Sequence, residues 1–312
     1  MEKLLGQRVF PFSSARAGLV FGLRALGLSR LDEILIPAYL SHCVLSALSR
    51  VVMPALSPSK RTKAVLALDT YGFPQNLDDL LSEAEKKNWF IINDRAHSLY
   101  GNSLSDQDEL KCAFEVFSLP KFFPCLLGGV LAAKNPAVEK RLDNEYSNLT
   151  AIHAKRANDA WLSLEKAHRN AFRGEFQLDV EGVFGYLPET IAFPDISLKY
   201  LPLSFDELKS DLQRRSSIWL QISRVFPDRV PKCPKQDIYP FAVPIHGNKN
   251  NLGYVSERLK IEVSVDVPVL HFDFALNQLA PVFKPALVIG CNSEWTESVV
   301  ERTIRCLKKY LS

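Results

Sequence analysis

Apolar residues in the first 135 positions come in short blocks, separated by stretches whose apolar residues recur at helical spacing. Five blocks read as strands: 33–37 (EILIP), 63–69 (KAVLALD), 90–94 (FIIND), 114–119 (FEVFSL) and 129–134 (GVLAAK). Each is apolar almost throughout, the pattern of strands covered on both faces. Between the early ones, 16–28, roughly 41–52 and 77–88 read as helices, the last with Asn76 as its N-cap. Strands alternating with helices predict an α/β fold built on a doubly wound, mostly parallel sheet.

The rest of the chain is organised differently. From about 136 to 173 it is polar and low in glycine, which predicts one long helix or two in series. Residues 175–203 carry Gly182, Gly185, Pro188, Pro194 and Pro202, which interrupt any regular element. A helix near 205–226, strands near 239–245, 262–267 and 286–289, and a closing helix over 296–310 follow. This mixture predicts a second, smaller α/β domain, so the expected division is a large domain over 1–190 and a small one over 191–312.

Composition narrows the function classes without choosing one. The chain has 312 residues, 47% hydrophobic and 23% charged, ordinary values for a folded globular protein. A net charge of +3 is too small to indicate a nucleic-acid binder. Six scattered cysteines with no CxxC pair read as reduced thiols, not as a disulfide framework or a metal site. The start of the chain lacks a secretory pattern and no apolar run reaches membrane-spanning length, so the expected location is the cytoplasm, away from the membrane.

In open α/β sheets, ligands gather at the carboxyl ends of the parallel strands. The residues just past those ends are 38–42, 69–71, 94–97 and 118–121, and they are polar or ionisable although the strands feeding them are apolar. Lys121 follows a buried strand and precedes the Gly128-Gly129 turn. Desolvation there would disfavour its ammonium form, as a lysine that forms a Schiff base requires. Ser118, three residues earlier, could reach the same bound group. Asp94, ending another apolar strand, could hold a proton on a pyridine nitrogen, and His97 could bond a phenolic oxygen of the same ring. The bland alternatives are a surface lysine in a turn and an aspartate capping a helix. Ser13, Ser14, Ala15 and Arg16 open a helix, which suits either an anion site or plain capping.

Together these elements resemble the DegT/StrS family of pyridoxal-phosphate (PLP) dependent nucleotide-sugar aminotransferases. The resemblance runs over SSARAGLVFGLRALGL, DEILIPAYLSH, LDTYGFPQNLDDL, IINDRAHSLYG and FSLPKFFPCLLGGVLAAKN, with YPFAVPI, HFD and 284–296 similar to the family's small domain. It implies the fold of the fold-type-I PLP-dependent transferases. It further implies that Lys121 binds the cofactor covalently and shuttles a proton, that Asp94 pairs with the pyridine nitrogen and that His97 pairs with the ring oxygen. Ser118 and Ser14, with the backbone at Ala15, would hold the phosphate, and His42 or Ser41 would lie against the ring. The implied reaction carries an amino group from an amino-acid donor, glutamate first, to a nucleotide-linked keto sugar of polysaccharide or sugar-metabolite biosynthesis, in a homodimer. Relatives that dehydrate sugars carry histidine where this chain has Lys121, which favours transamination.

The sequence also departs from the family. Asn93 and Arg95 replace the usual acidic and alanine neighbours of the aspartate, and AlaIleHisAlaLysArgAlaAsn stands where an asparagine-tyrosine-arginine segment is usual. Two other functions follow from the same residues: another PLP reaction on amino acids, or a catalytically silent protein that keeps the fold.

Overall fold

The computed structural model describes residues 8–98, 112–133, 135–149, 151–172, 192–202, 205–233 and 238–311. Two units separate. One takes the described residues up to Leu68, from Asp78 to 98 and on to Leu201; the other takes Asp69–Leu77 and the described residues from Pro202 onward. The first therefore runs past the expected boundary at 190, and the stretch after one of its strands belongs to the second.

In the first unit the chain forms β1 (Arg8–Phe12), α1 (Ala15–Ala25), β2 (Glu33–Leu35), α2 (His42–Leu48), β3 (Met53–Ala55) and β4 (Thr62–Leu68). It continues through α3 (Asp78–Lys87), β5 (Phe90–Asp94), β6 (Cys112–Ser118), β7 (Gly129–Ala133), α4 (Pro136–Tyr146) and α5 (Ala151–Phe172). The seven strands lie in the order β1-β7-β6-β5-β4-β2-β3. Strands β2 to β6 are parallel, β7 is antiparallel to β6, and β1 is antiparallel to β7. The sheet is mostly parallel, as the apolar runs imply, and β7 is buried at every position.

Helix α1 shows how the sequence sets the packing. Ser14 caps it by accepting from the Ala17 N–H, and Ala15 and Ala17 to Leu23 are buried. At Gly22 an added Cβ would stand 2.5 Å from the Phe114 ring and 2.8 Å from Leu131, so the missing side chain lets the helix press onto β6 and β7. Phe10, Phe12, Leu19, Leu23, Phe114 and Leu131 form the centre of this core. Each contributes on the order of 1.5–3 kcal/mol by leaving water.

Strands β1 and β3 escape the sequence pattern. Three-residue β3 is too short to carry a period, and β1 contains Pro11, which reads as a break. Strand β1 stands at the end of the strand order, where a proline's missing N–H is tolerated. The polar stretch after β7 is two helices, α4 and α5, separated near Ser147.

The second unit holds α6 (Phe205–Val225), β8 (Ala242–His246), α7 (Lys249–Val263), β9 (Val269–Asp273), β10 (Phe283–Gly290) and α8 (Glu297–Tyr310). Its strands pair antiparallel in the order β8-β10-β9. Phe73, from Asp69–Leu77, packs edge-on against Trp219 at 5.1 Å and Phe272 at 5.8 Å between ring centres. The strand expected over 262–267 is not formed. Its alternation of Ile261, Val263, Val265 and Val267 with polar residues has period two, but Leu252, Val255, Leu259 and Val263 bury one helical face of α7 instead. Ser264, in the left-handed region at φ 64°, ends the helix. No described helix is long and apolar enough to cross a membrane.

Candidate active site

The site is built at the carboxyl ends of β5 and β6, within the first unit. Strand β6 ends at Ser118, and Leu119–Lys121 turn into one short 3-10 helix around the buried Leu119. The Leu119 carbonyl accepts from the N–H groups of both Phe122 and Phe123 at 2.9 Å, while the Leu119 N–H donates to Gly128 at 3.1 Å. The lysine loop is thereby closed on itself at both ends.

One strand away, the chain past β5 makes a tight turn. Asp94 Oδ1 accepts from the Ala96 N–H at 3.0 Å, the Arg95 N–H reaches the Val116 carbonyl at 2.9 Å, and Ser98 N–H returns to the Arg95 carbonyl at 2.9 Å. These bonds aim His97 at the lysine: Lys121 Nζ lies 2.6 Å from His97 Nε2. A contact this short needs one partner to supply a proton and the other a lone pair.

Electrostatics set the protonation of the groups. Burial first, and then the Lys121 charge, push His97 down to about 3, so its imidazole is neutral near neutral pH and can accept at Nε2 in the tautomer that carries its proton on Nδ1. Burial also lowers Lys121, assisted by Arg16 and opposed by Asp94 and Cys43. Asp94 is 3% exposed, and burial raises its carboxyl against the pull of the Ala96 N–H and Lys121. A buried carboxylate, a neutral imidazole and an amine with a weakened ammonium form thus face one another. Such an arrangement can hold a cationic heterocycle and leave an amine free to attack a carbonyl carbon.

A second cluster adjoins the first. Ser118 pairs in register with Gly129, and Ser14 bridges to Gly128. A Cβ on Gly129 would run into the backbone of Ser14 and Ala15. Only glycine lets the start of α1 come this close, which gathers Ser118, Ser14 and the first-turn N–H groups of α1 around one turn. Those N–H groups have no carbonyl partner within the helix and suit a phosphate. The Ser14 hydroxyl accepts from Ala17 N–H at 3.1 Å, which leaves its own proton to donate.

His42 is not brought in by these contacts. It heads α2 with an exposed side chain. The residue of α2 that adds to the field at Lys121 is its neighbour Cys43, whose sulfur lies 3.1 Å from Ser41 Oγ and hydrogen-bonds Arg16. Cys43 lay one position beyond the stretch 38–42 that the strand-end rule selects, which is the only signal that pointed to it. Arg95, at the position usual for alanine, pairs with Glu115 of β6 at 3.1 Å, both side chains being buried, and its guanidinium lies 5.3 Å from the centre of the Phe117 ring. Among the described residues no cluster of metal-binding side chains occurs.

Comparison with known proteins bears on the fold. Residues 6–151 match a family described as "Putative PLP-dependent aminotransferase". Among solved structures, the "putative sugar aminotransferase" Spr1654 from Streptococcus pneumoniae superposes over 99% of this chain and 87% of its own, with a TM-score of 0.67 at 16% identity. The fold is that of the fold-type-I PLP-dependent aminotransferases. A DegT DnrJ EryC1 StrS aminotransferase from Brucella abortus shares this aminotransferase fold over 99% of this chain and 88% of its own, at TM-score 0.63 and 14% identity. DesI, solved in the presence of its TDP-sugar product, does so over 99% and 82%, at TM-score 0.59 and 15% identity. No curated protein matches the sequence.

Proposed function

We propose that the protein is a PLP-dependent aminotransferase that moves an amino group from an amino-acid donor, glutamate first, to a keto sugar carried on a nucleotide. The observation that carries the reading is the approach of Lys121 to His97 beside the buried Asp94. The residues present fit PLP at both of its ends: an amine and a carboxylate for the ring, and the Gly129 cradle against Ser14 and Ala15 for the phosphate. Spr1654 has been solved in PLP and pyridoxamine phosphate (PMP) forms, and DesI with a TDP-sugar, which supports the cofactor and substrate classes.

When bound, PLP supplies an electron sink for the carbon that gains or loses a proton. Lys121 Nζ, partly desolvated, would hold the cofactor at its carbonyl carbon, with loss of water, and would be placed to move that proton. Asp94 would hold the proton of the ring nitrogen. His97 would contribute a neutral imidazole that orients Lys121 or bonds the ring oxygen, and Ser118, Ser14 and the Ala15 N–H would bind the phosphate. The reading includes a homodimer, which sedimentation measures directly.

The test combines trapping with turnover. Wild-type protein incubated with PLP and reduced with borohydride should carry a pyridoxyl group on Lys121, found by peptide mass, and glutamate should bleach the visible band. Lys121→Ala should lose both and lower turnover by at least about 10²-fold. A trapped group on another lysine, or full activity in the variant, overturns the assignment. Bleached protein that transfers to keto acids but to none of a panel of nucleotide-linked keto sugars would place the reaction among amino acids.

A further inference from the structure

Among the described residues, the hydroxyls of Ser14 and Ser118 and the α1 N–H groups bring no full charge to a phosphate, and charge arithmetic asks for one. A phosphate monoester carries about −1.5 to −2 near neutral pH, whereas a helix N-terminus supplies only about half a positive charge. Ser14 and Ser118 contribute hydroxyl dipoles but no charge. Lys121 cannot serve, because its amine is needed at the ring end.

We propose that Arg16 neutralises the phosphate of the bound cofactor from within the same chain. The inference rests on the PLP reading above and adds a binding residue to it. Arg16 is the second residue of α1, which has no acidic residue in its first turn. Helical side chains lean toward their own N-terminus, so a long side chain at this position folds back over the end of α1 that meets Gly128 and Gly129. Its guanidinium interacts with Cys43 at the start of α2, and its charge is felt at Lys121, so it stands on the side of α1 that faces these two residues. Arg16 is half-buried and within electrostatic range of both Lys121 and the start of α2. Burial works against its charge there, and Arg50 adds to the positive potential from α2's far end. An anion at the Gly129 cradle would relieve both. Arginine matches phosphate with two parallel N–H bonds, which a lysine at the same place would not supply.

The experiment separates phosphate binding from general damage by using two cofactors. Wild type and Arg16→Gln are titrated with PLP and with pyridoxal, which lacks the phosphate; affinity is read from the absorbance change and occupancy from borohydride-trapped mass. Arg16→Gln should weaken PLP by about 10- to 100-fold, the loss of one or two charge-assisted hydrogen bonds, and leave pyridoxal within about twofold. Arg16→Lys should recover part of the preference for PLP because the charge remains. Equal losses for both cofactors in Arg16→Gln would make Arg16 a structural residue, and unchanged PLP affinity would remove it from the site. A lysine variant that discriminates no better than the glutamine variant overturns the charge assignment. Wild type that binds neither cofactor refutes the PLP reading itself, an outcome distinct from any of these.

Discussion

Acid should expose His97. In the folded protein its imidazole is pushed from 6.5 down to about 3 by burial and the adjacent Lys121. Below pH 6.5 the unfolded chain therefore takes up a proton that the native protein refuses, so stability is full above that value and falls as the pH drops toward about 3. The slope approaches about 1.4 kcal/mol per pH unit. Integrated from about pH 7 to about pH 5, the loss assigned to His97 is about 2 kcal/mol. Asp94 works in the opposite direction: its folded carboxyl is raised, so acidification protonates the native state first and returns stability. A single protein therefore shows only the sum of the two. Comparing wild type with His97→Gln cancels the Asp94 contribution and isolates the imidazole. Cofactor-free protein would be unfolded in urea at the two pH values and followed by circular dichroism. Wild type should lose about 2 kcal/mol more than His97→Gln. Losses equal within about 0.5 kcal/mol would mean that the imidazole takes a proton in the folded state, and that it does not accept from Lys121 as described.

Two further outcomes follow from the packing. Gly129→Ala forces a methyl into the Ser14–Ala15 backbone and should cost about 1–3 kcal/mol in urea unfolding, while Gly253→Ala, in α7 with open space around it, should be neutral or stabilising by up to about 1 kcal/mol. Glu115→Leu strips the buried Arg95 guanidinium of its carboxylate and should cost about 3–5 kcal/mol, whereas Arg95→Met with Glu115→Leu should stand nearer to wild type, since a buried ion pair exchanged for apolar side chains is often neutral. A double variant as unstable as the single one would show that the pair contributes net stability.

The parallel part of the sheet was legible because its strands are buried on both faces: Ala64–Ala67, Ile91–Asp94 and Ala113–Phe117 are buried without a gap, and such runs announce themselves in the sequence. Their carboxyl ends then pointed to Asp94, His97, Ser118 and Lys121. What stayed hidden depends on pairings between distant residues. Nothing near Arg95 in the chain reveals that Glu115, twenty residues on, stands beside it. Cys43 reaches Arg16 only because α2 lies against α1. The alternation over Ile261–Val267 misled for a related reason: its period is that of a strand, but burial in the second unit is set by residues earlier in α7, and Ile261 is left 69% exposed. Local pattern loses wherever a longer helix already has its buried face.

The antiparallel turn of β7 explains why one lysine loop and one helix start form a single site. Were β7 parallel to β6, the chain after Lys121 would have to cross the length of the sheet before returning, and Gly129 could not face Ser118. Because β7 reverses, the ten residues between Ser118 and Gly129 form a closed loop whose two ends are in register. Gly129 then rests on the backbone of Ser14 and Ala15, so the distance from the lysine loop to α1 is fixed by main chain alone. Side chains around this junction can change without moving it. That is a physical reason why a chain with 16% identity to a solved structure can keep the same fold. On the reading proposed for Arg16, the main chain sets where a phosphate would sit, so the contribution of that side chain should appear in affinity for the phosphate and not in the position of Lys121.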